Sequence, residues 1–559
     1  MPRDRLGHRG GGVYRTPLVT FEFVVRFLPE DRVYRSAGPV DLYLAAAGAG
    51  ILVEQPCGAQ GTCGRCRVKV HSGDVPPGEA DREQLTALEL AAGWRLGCQM
   101  TLAGDTVVEV PALTRSLAGK SFGPDFIPGL PGERVVDVPG FGLAVDIGTT
   151  SLACALICLD DGRVAASASS LNPQVALGAD VIARIKHASE HEDGLARLSR
   201  LVREGLASLV RELMEGAGCG PGDVVTAAVA GNPTMLQAWA GVPITRLGAA
   251  PYEAAWSAEQ NWGAADVELP IDAGARVYVF PMIRSHVGGD AVAAAVATAF
   301  DRGQAPRLLV DLGTNCEVLV ASGDRVVSTS AAAGPAFEGV SIRCGMRAAP
   351  GAVDVVSFEP LGEVRLHTIA DRPATGLCGS ALMDLAAEML RVGLLAPSGY
   401  LRKPHELAAG AAPFGARLRE VEGQAAFLVS AEHEGAARDV VLTARDIREL
   451  QLAKGSTLAA ITLACRELGL DPGDLEEVLV AGAFGNFLRT ASLVRIHLVP
   501  QVDPERIRFV GNAAGVGARL AVLDRGVRAR ASAFAARARY LELATHPDYQ
   551  DAFMRSLSF

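Results

Sequence analysis

Four cysteines constrain the fold of this 559-residue chain more than any other feature of its sequence. Three lie in the stretch CGAQGTCGRC, as Cys57, Cys63 and Cys66, and Cys98 follows after 31 further residues in WRLGCQM. Three thiolates on one tight loop and one from a distant segment predict a tetrahedral four-cysteine site. A zinc ion and a [2Fe-2S] cluster can both be held by such a set.

The glycines of this loop favour the iron–sulfur cluster. Gly58, Gly61 and Gly64 let the backbone curl and bring NH groups close to bridging sulfides, which a zinc site lacks. The flanking segments predict a β-hairpin, a helix, the cysteine loop, a strand, a second helix over DREQLTALELAAGW and a closing strand. This order resembles the β-grasp ferredoxin. The first cysteine gap is one residue longer than in the usual C-x4-C-x2-C pattern, and zinc stays the alternative.

Composition and charge exclude several classes of protein. The formal net charge is -10 and no basic stripe stands out, which argues against a nucleic-acid partner. No uninterrupted apolar run could span a bilayer, and the first residues lack the apolar core of a secretion signal. We therefore expect a cytoplasmic protein without a membrane partner. In a reducing compartment its 11 cysteines are not expected to form disulfides.

Two later segments repeat one pattern, in which a buried strand runs into Asp-x-Gly-Thr and a second strand returns. They are GLAVDIGTTSLACALIC and PRLLVDLGTNCEVLVAS. Backbone NH and hydroxyl groups of such a turn can bind phosphate, while the aspartate orients hydrated magnesium or a water. The predicted residues are Asp146, Gly148, Thr149 and Thr150 in the first segment and Asp311, Gly313, Thr314 and Asn315 in the second. The repeat predicts duplicated halves that close on one nucleotide.

A third glycine-containing segment, LEEVLVAGAFGNFL, runs a predicted strand into Gly482 and Gly485, where the backbone could lie against a nucleoside. Two other residues stand near predicted turns. Asp290, in HVGGDAVAAAVA, most resembles a helix N-cap, and a contact with the nucleotide or with the partner protein stays the alternative. Asn232, in VAGNPTML, follows a strand, and both a structural role and a place in the cleft between the halves stay open.

Together these motifs resemble the ATPase superfamily of actin, sugar kinases and heat-shock chaperones. Joined to a ferredoxin, they are similar to the ATP-dependent reductive activators of corrinoid proteins. Other stretches fit that family, among them NPQVALGADVIARI, AAAGPAFEGVSIRCGMRAAPGAV, GLCGSALMDL and VGNAAGVGARLA. The resemblance implies a multidomain α/β fold: an N-terminal β-grasp [2Fe-2S] ferredoxin, a linker and duplicated RNase H-like/actin-like ATPase lobes.

The resemblance also implies an activity. A [2Fe-2S] cluster and MgATP are the expected cofactors, with Asp146 and Asp311 acting on the nucleotide and Cys57, Cys63, Cys66 and Cys98 ligating iron. The expected reaction passes one electron to the Co(II) corrinoid of a methyltransferase or methionine synthase partner and restores Co(I). A homodimer is plausible on the same ground, and the upstream electron donor is not indicated. The alternatives are a sugar-kinase-like phosphotransferase and a nucleotide-sensing ferredoxin without net corrinoid reduction.

The sequence divides into five regions by composition and motif. The predicted regions are a disordered extension (1–15), the ferredoxin domain (16–113), a glycine- and proline-rich flexible linker (114–138), a middle region with the first ATPase lobe (139–300) and the second ATPase lobe (301–545).

Overall fold

A computed structural model describes residues 23–28, 31–49, 51, 53, 66–110, 122, 133–482 and 488–559. These residues form two compact units, one within residues 23–110 and one made of Phe122 and the described part of 133–559. No helix within these ranges is long and apolar enough to cross a membrane.

The first unit is built around a mixed five-stranded sheet in the order β2-β1-β7-β4-β5. Its elements are β1 (Phe23–Leu28), β2 (Arg32–Ser36), β3 (Val40–Asp41), α1 (Leu42–Gly48), β4 (Arg67–Ser72), α2 (Glu79–Gln84), α3 (Ala87–Ala91), β5 (Trp94–Leu96), β6 (Thr101–Leu102) and β7 (Thr106–Glu109). Alternation along β1 buries Phe23, Val25 and Phe27 on one face of the sheet. The predicted hairpin, first helix and closing strand are all present.

The second predicted helix of this unit is broken into two. α2 ends before Leu85, which has extended backbone angles, and α3 starts after Thr86. The Thr86 hydroxyl accepts a hydrogen bond from the Glu89 backbone NH, and the Glu89 carboxylate accepts one in return from the Thr86 NH at 2.7 Å. This capping box satisfies the first NH groups of a new helix and so favours a restart over one continuous helix.

The second unit begins with a six-stranded sheet in the order β10-β9-β8-β11-β13-β12, flanked by helices. Its elements are β8 (Phe141–Ile147), β9 (Ser151–Cys158), β10 (Val164–Leu171), α4 (Val181–Glu190), α5 (Gly194–Ala217), β11 (Val224–Gly231), α6 (Pro233–Ala240), β12 (Gln260–Gly263), β13 (Arg276–Val279) and α7 (Gly289–Ala297). We call residues 141–303 the first half of this unit.

The second half, residues 305–559, holds another six-stranded sheet in the order β24-β23-β14-β15-β16-β25, with two smaller three-stranded sheets. Its elements are β14 (Arg307–Asp311), β15 (Asn315–Ser322), β16 (Arg325–Ala332), β17 (Ala352–Phe358), β18 (Val364–Thr368), β19 (Gly376–Leu377), α8 (Gly379–Val392), β20 (Leu418–Val421), β21 (Gln424–Ser430), β22 (Val440–Thr443), α9 (Ala444–Glu467), β23 (Glu477–Ala481), α10 (Thr490–Arg495), β24 (Ile507–Gly511), α11 (Ala513–Leu523), α12 (Arg525–Arg537), β25 (Ala538–Tyr540) and α13 (Tyr549–Ser556).

Five strands of each six-stranded sheet share one topology, and the sixth strand, β12 or β25, lies at opposite edges. β8 lies between its antiparallel hairpin partner β9 and the parallel strand β11, and β14 lies in the same way between β15 and β23. A third hairpin strand follows on one side, β10 or β16, and a second parallel strand on the other, β13 or β24. The predicted duplication of ATPase lobes in a multidomain α/β fold is therefore confirmed.

The consecutive helices α11 and α12 follow β24 of the second half but pack against the first half. α11 lies on β8, β11 and α7, and α12 lies on α7. An apolar cluster joins Ala144 of β8 and Ala228 of β11 to Ala518 of α11. The chain returns to the second half only with β25, which pairs with β16. The region predicted as the second lobe, 301–545, is thus shared between both halves.

Close packing of α11 on α7 depends on Gly517, where an added Cβ would overlap the backbone carbonyl of Ala293. Gly216, inside α5, has open space around the same position. We expect Gly517→Ala to lower the free energy of unfolding by about 1–3 kcal/mol, since the helices must move apart. Gly216→Ala should leave it unchanged or raise it by up to about 1 kcal/mol. Urea denaturation followed by circular dichroism measures both; equal stability of the two variants would contradict this packing.

Parts of the predicted flexible linker are fixed on the second unit. Phe122 is buried, and its carbonyl oxygen accepts a 3.2 Å hydrogen bond from the fully buried Arg519 of α11. The backbone NH of Val135 donates to the Leu523 carbonyl at 3.2 Å. The prediction of a flexible segment throughout 114–138 is therefore not met at these residues. These residues are held because the Phe122 ring is buried and the backbone groups of Phe122 and Val135 are hydrogen-bonded, neither of which composition reveals.

Candidate functional site

Two of the four predicted iron ligands lie side by side in the first unit. Cys66 precedes β4 and Cys98 follows β5, and the antiparallel pairing of these strands brings the two residues together. The Gly97 NH donates to the Cys66 carbonyl at 2.7 Å. A hydrogen bond with the Cys98 side chain, together with burial, raises the pKa of the Cys66 thiol. Two thiols in contact, one from the loop and one from the distant segment, fit two ligands of one cluster.

The other two predicted ligands, Cys57 and Cys63, lie outside the described residues. Within the described ranges, no group of three or more His, Cys, Asp and Glu side chains could hold a metal ion. The donor set itself fits a [2Fe-2S] cluster, because the four predicted ligands are cysteines and thiolates are the usual ligands of such a cluster.

The first Asp-x-Gly-Thr turn is held by two buried polar side chains. Asp146, near the end of β8, is itself buried, and the turn leads directly into β9. Arg184 of α4 donates from Nη2 to the Thr149 carbonyl oxygen at 2.5 Å. Asn172 donates from Nδ2 to the Gly148 carbonyl oxygen at 2.8 Å. Burial lowers the pKa of Arg184 to about 9, so the guanidinium keeps its charge at neutral pH. These bonds fix the backbone of the turn.

The second turn is tied to a compact loop that follows β16. The Gly334 NH donates to the Thr314 carbonyl at 2.9 Å, and the Thr314 hydroxyl donates to the Glu338 carboxylate at 2.7 Å. Asp311 is the last residue of β14, in the position that Asp146 nearly occupies in β8. The two turns are therefore equivalent in the fold, but different partners hold them.

Gly482 lies against the second turn at the end of β23. Its φ is +120°, which favours glycine, and an added Cβ would lie 2.5 Å from the Leu312 carbonyl oxygen. The Gly482 NH donates to the Gly511 carbonyl at 3.1 Å, and the Leu312 NH donates to the Ala481 carbonyl at 3.0 Å. A side chain at this position would push β23 away from β14, so the glycine is needed for the sheet edge to close.

These elements enclose a cavity of about 280 Å³ between the two halves of the second unit. Nine of the ten predicted nucleotide-site residues line it, namely Asp146, Gly148, Thr149, Thr150, Asp311, Gly313, Thr314, Asn315 and Gly482. The tenth, Gly485, lies outside the described residues. Two segments with the same predicted pattern, one from each half, thus meet in one cavity.

Four helices begin at the wall of this cavity, as the lining residues Asn232, Asp290, Gly379 and Asn512 show for α6, α7, α8 and α11. Helix N-termini carry partial positive charge and unpaired NH groups, which suits an anionic ligand. Asn232 resolves its two open roles by serving both: its Oδ1 accepts from the Met235 NH at 3.0 Å as the N-cap of α6. Its Nδ2 donates to the Thr149 hydroxyl at 2.9 Å.

Models of three protein families match the chain in succession. A model of the 2Fe-2S iron–sulfur cluster binding domain matches residues 27–103. A model of the RACo middle region matches residues 141–303, and one of the C-terminal domain of RACo, the ASKHA domain, matches residues 305–559. The first favours iron–sulfur over zinc for the cysteine site, and the last is the ATPase superfamily expected from the two turns.

The chain is also similar to the corrinoid activation enzyme RamQ of Eubacterium limosum. The two are 32% identical over 437 residues, which cover 78% of this chain and 72% of the relative. The chain belongs to the family of reductive activators of corrinoid proteins. The [Co(II) methylated amine-specific corrinoid protein] reductase of Methanosarcina barkeri is 27% identical over 272 residues, 44% of this activator and 45% of the relative. A solved structure of a reductive activator for corrinoid, iron–sulfur protein covers 96% of this activator and 98% of its own chain, with a TM-score of 0.68 and 26% identity.

The cavity of the activator also contains acidic residues that sequence patterns assigned differently or missed. Asp290 and Glu317 line it together with Asp146 and Asp311. Asp290 was predicted to be the N-cap of α7, and this prediction is wrong. Gly288 occupies the N-cap position, and Asp290 lies in the first turn of the helix. Burial and the negative charges of Asp290 and Asp311 raise the pKa of Glu317 well above its usual range. Clustered carboxylates are the ligand type that Mg²⁺ prefers.

Sequence reasoning also missed the side chains that hold the two turns of the activator. Asn172 and Arg184 lie in NPQVALGADVIARI, and Glu338 lies in AAAGPAFEGVSIRCGMRAAPGAV, two stretches that fitted the family pattern without a role for any residue. The available signal was a polar or charged residue inside an otherwise apolar segment. Asn172 and Arg184 are fully buried and Glu338 is half-buried. Polar side chains are rarely buried unless their hydrogen bonds are satisfied, which points to a role in holding the backbone or a neighbouring side chain for each.

Proposed function

We propose that this chain reduces the Co(II) corrinoid of a methyltransferase or methionine synthase partner by one electron, restoring Co(I), with ATP supplying the work. The observation that carries the proposal is the joining of a ferredoxin-type cysteine site and a two-sided nucleotide cavity in one chain. A sugar kinase would need the cavity without the cysteines. Membership of the activator family supports the same activity.

Electron transfer in this direction needs an energy source. A plant-type [2Fe-2S] centre has a potential of about −400 mV, and each further 100 mV uphill costs about 2.3 kcal/mol per electron. Cys57, Cys63, Cys66 and Cys98 would hold a cluster that supplies one electron at a time. The protein's own contribution is to bind the partner differently in its different nucleotide states, since a ligand shifts an equilibrium only through differential affinity.

The residues around the cavity have distinct proposed roles in binding MgATP. Asp146 and Asp311 lie at the ends of equivalent central strands and would orient the water shell of magnesium. The turn residues, Gly148, Thr149 and Thr150 with Gly313, Thr314 and Asn315, would donate NH and hydroxyl groups to phosphate oxygens. Gly482 and Gly485 would lie against the nucleoside.

Helix α11 offers a route from the nucleotide to the rest of the molecule. It begins at the cavity with Asn512, packs on the first half through Gly517 and holds Phe122 through Arg519. Closure of the two halves on ATP would therefore move Arg519 and, with it, Phe122 in the segment that joins the two units in sequence. Contacts of this helix of the second half with elements of the first half and with Phe122 support the proposed coupling.

The central test measures reduction of a Co(II) corrinoid partner by its visible absorption under anaerobic conditions. With the cluster prereduced, we expect Co(I) to form to a greater extent with MgATP than without nucleotide, and ADP should not replace ATP. The control is the partner with reductant but without the activator. Equal rate and extent of reduction with and without MgATP would contradict the proposed role of ATP.

We further infer that this activity belongs to the cytoplasm. A low-potential electron and four thiolate ligands both need a reducing compartment, because oxidising compartments convert neighbouring thiols to disulfides. Fractionation of native cells with an antibody against the chain would test this, and recovery in an oxidising compartment would contradict it.

A further inference from the structure

The charges lining the nucleotide cavity are strongly unequal. Acidic side chains line it from both halves, namely those of Asp146, Asp290, Asp311 and Glu338, together with Glu317, whose pKa is raised by burial and by its acidic neighbours. Among the described lining residues, Arg347 is the only lysine or arginine. A polyphosphate carries several negative charges, and magnesium on the carboxylates would neutralise part of them. Arg347 is therefore the side chain of the described lining that can offset the remaining negative charge of a bound polyphosphate.

Arg347 contacts Glu338, one of the residues that hold the second Asp-x-Gly-Thr turn. Its Nη2 lies 3.8 Å from the Glu338 carboxylate, and both side chains are only 19% exposed. The other oxygen of that carboxylate accepts the 2.7 Å hydrogen bond from the Thr314 hydroxyl. Glu338 therefore connects the turn to the guanidinium, and a shift of either would be transmitted to the other.

The backbone beside Arg347 is fixed at the start of helix α8. The Met346 NH donates to the Leu377 carbonyl at 2.8 Å, and the Leu377 NH donates to the Cys344 carbonyl at 2.7 Å. The next residues, Cys378 to Ser380, form the N-terminus of α8 and line the cavity as well. The partial positive charge of a helix N-terminus and a guanidinium thus lie on neighbouring segments of the second half.

We propose that Arg347 contacts the terminal phosphate of the bound nucleoside triphosphate and that Glu338 positions it there. A guanidinium can donate two parallel hydrogen bonds to phosphate oxygens, which makes its contribution depend on geometry as well as on charge. Arg347 then distinguishes a triphosphate from a diphosphate, which lacks the group it contacts. This inference rests on the proposal that the cavity binds MgATP.

The test compares ATP and ADP affinity by isothermal titration calorimetry in the presence of magnesium. Arg347→Met should weaken ATP binding by about 10- to 100-fold and ADP binding by less than about threefold. Arg347→Lys should retain part of the ATP affinity, because an ammonium keeps the charge but cannot form the bidentate contact. Equal losses for ATP and ADP, or no loss for ATP, would overturn the proposal.

Glu338→Gln tests positioning separately from binding. The amide oxygen can still accept the Thr314 hydrogen bond, whereas the attraction to Arg347 is lost. We expect a kcat for ATP hydrolysis lowered by about tenfold or more with ADP affinity unchanged, as an orienting contact predicts. An unchanged kcat would remove Glu338 from the proposal.

Arg343→Met is the matched control. Arg343 lies on the same loop but pairs with Glu422 and does not line the cavity. Its replacement should leave both nucleotide affinities within about twofold, since exposed ion pairs contribute little. Wild-type protein that binds no MgATP would refute the proposed function itself; wild-type binding that Arg347→Met and Arg347→Lys leave unchanged would refute only this inference.

Discussion

Serine at Cys66 or at Cys98 is expected to remove the visible charge-transfer absorption of the reconstituted protein and to slow Co(II) reduction at least about 100-fold. The reason is that a serine hydroxyl is a much poorer ligand for iron than a thiolate, so the cluster loses a donor. The two residues are in contact in the structure, and the same loss is expected for each. Absorption and paramagnetic resonance spectra, with iron and sulfide analysis, measure the result.

ATP hydrolysis serves as the internal control of this experiment, because the nucleotide cavity lies in the other compact unit. It should stay within about twofold of wild type in both serine variants, as expected for independent sites. Cys219→Ser is the matched variant, since this cysteine follows α5 in the second unit. Full absorption in both Cys66→Ser and Cys98→Ser would contradict the ligand assignment. Zinc in place of iron in protein isolated anaerobically would restore the alternative site.

The sequence predicted those parts of the fold that short local patterns determine. The strands around the two Asp-x-Gly-Thr turns are continuous apolar runs, and their repeat predicted two equivalent sheets. The sequence analysis did not predict the break between α2 and α3, although Thr86 and Glu89 have the spacing of a capping box. A helical pattern on both sides of the cap outweighed it, because periodicity does not reveal where a helix restarts.

Contacts between distant segments could not be predicted in this way. The packing of α11 on the first half depends on Gly517 and Ala293, which are far apart in the chain. Neither residue belongs to a local sequence pattern that predicts this contact. Burial of Phe122 under Arg519 lies within a glycine- and proline-rich segment that otherwise indicates a free linker. In both cases the contact forms because the shapes and hydrogen-bonding groups of two distant segments are complementary, which local sequence patterns do not show.

At the proposed nucleotide site, too, local patterns predicted some residues and contacts between distant segments added others. Residues in the turns were found because glycine, threonine and aspartate at fixed spacing have a phosphate-binding geometry. Asp290 and Arg347 reach the cavity from a helix and a loop whose local sequences carry no such spacing. Only the fold brings their charges to the turns, and the role proposed for Arg347 is argued from the charge balance of the cavity.

Asn in place of Asp146 or Asp311 is expected to lower kcat for ATP hydrolysis at least about 100-fold and to abolish the stimulation of corrinoid reduction by MgATP. An amide keeps the shape of the side chain but removes the negative charge that attracts hydrated magnesium, and losses of about 10²–10³ are typical for such electrostatic groups. The cluster spectrum should stay unchanged. Steady-state phosphate release and magnesium titration measure the effect.

Asp324→Asn provides the matched control, because Asp324 is exposed in the turn between β15 and β16 of the same half. It should hydrolyse ATP at the wild-type rate. The double variant of Asp146 and Asp311 decides whether the two carboxylates act together: if both orient one magnesium ion, the double variant should lose little more than either single variant. Losses that multiply would mean that the two halves act on the nucleotide independently. Turnover of Asp311→Asn above half the wild-type rate would remove the second turn from catalysis altogether.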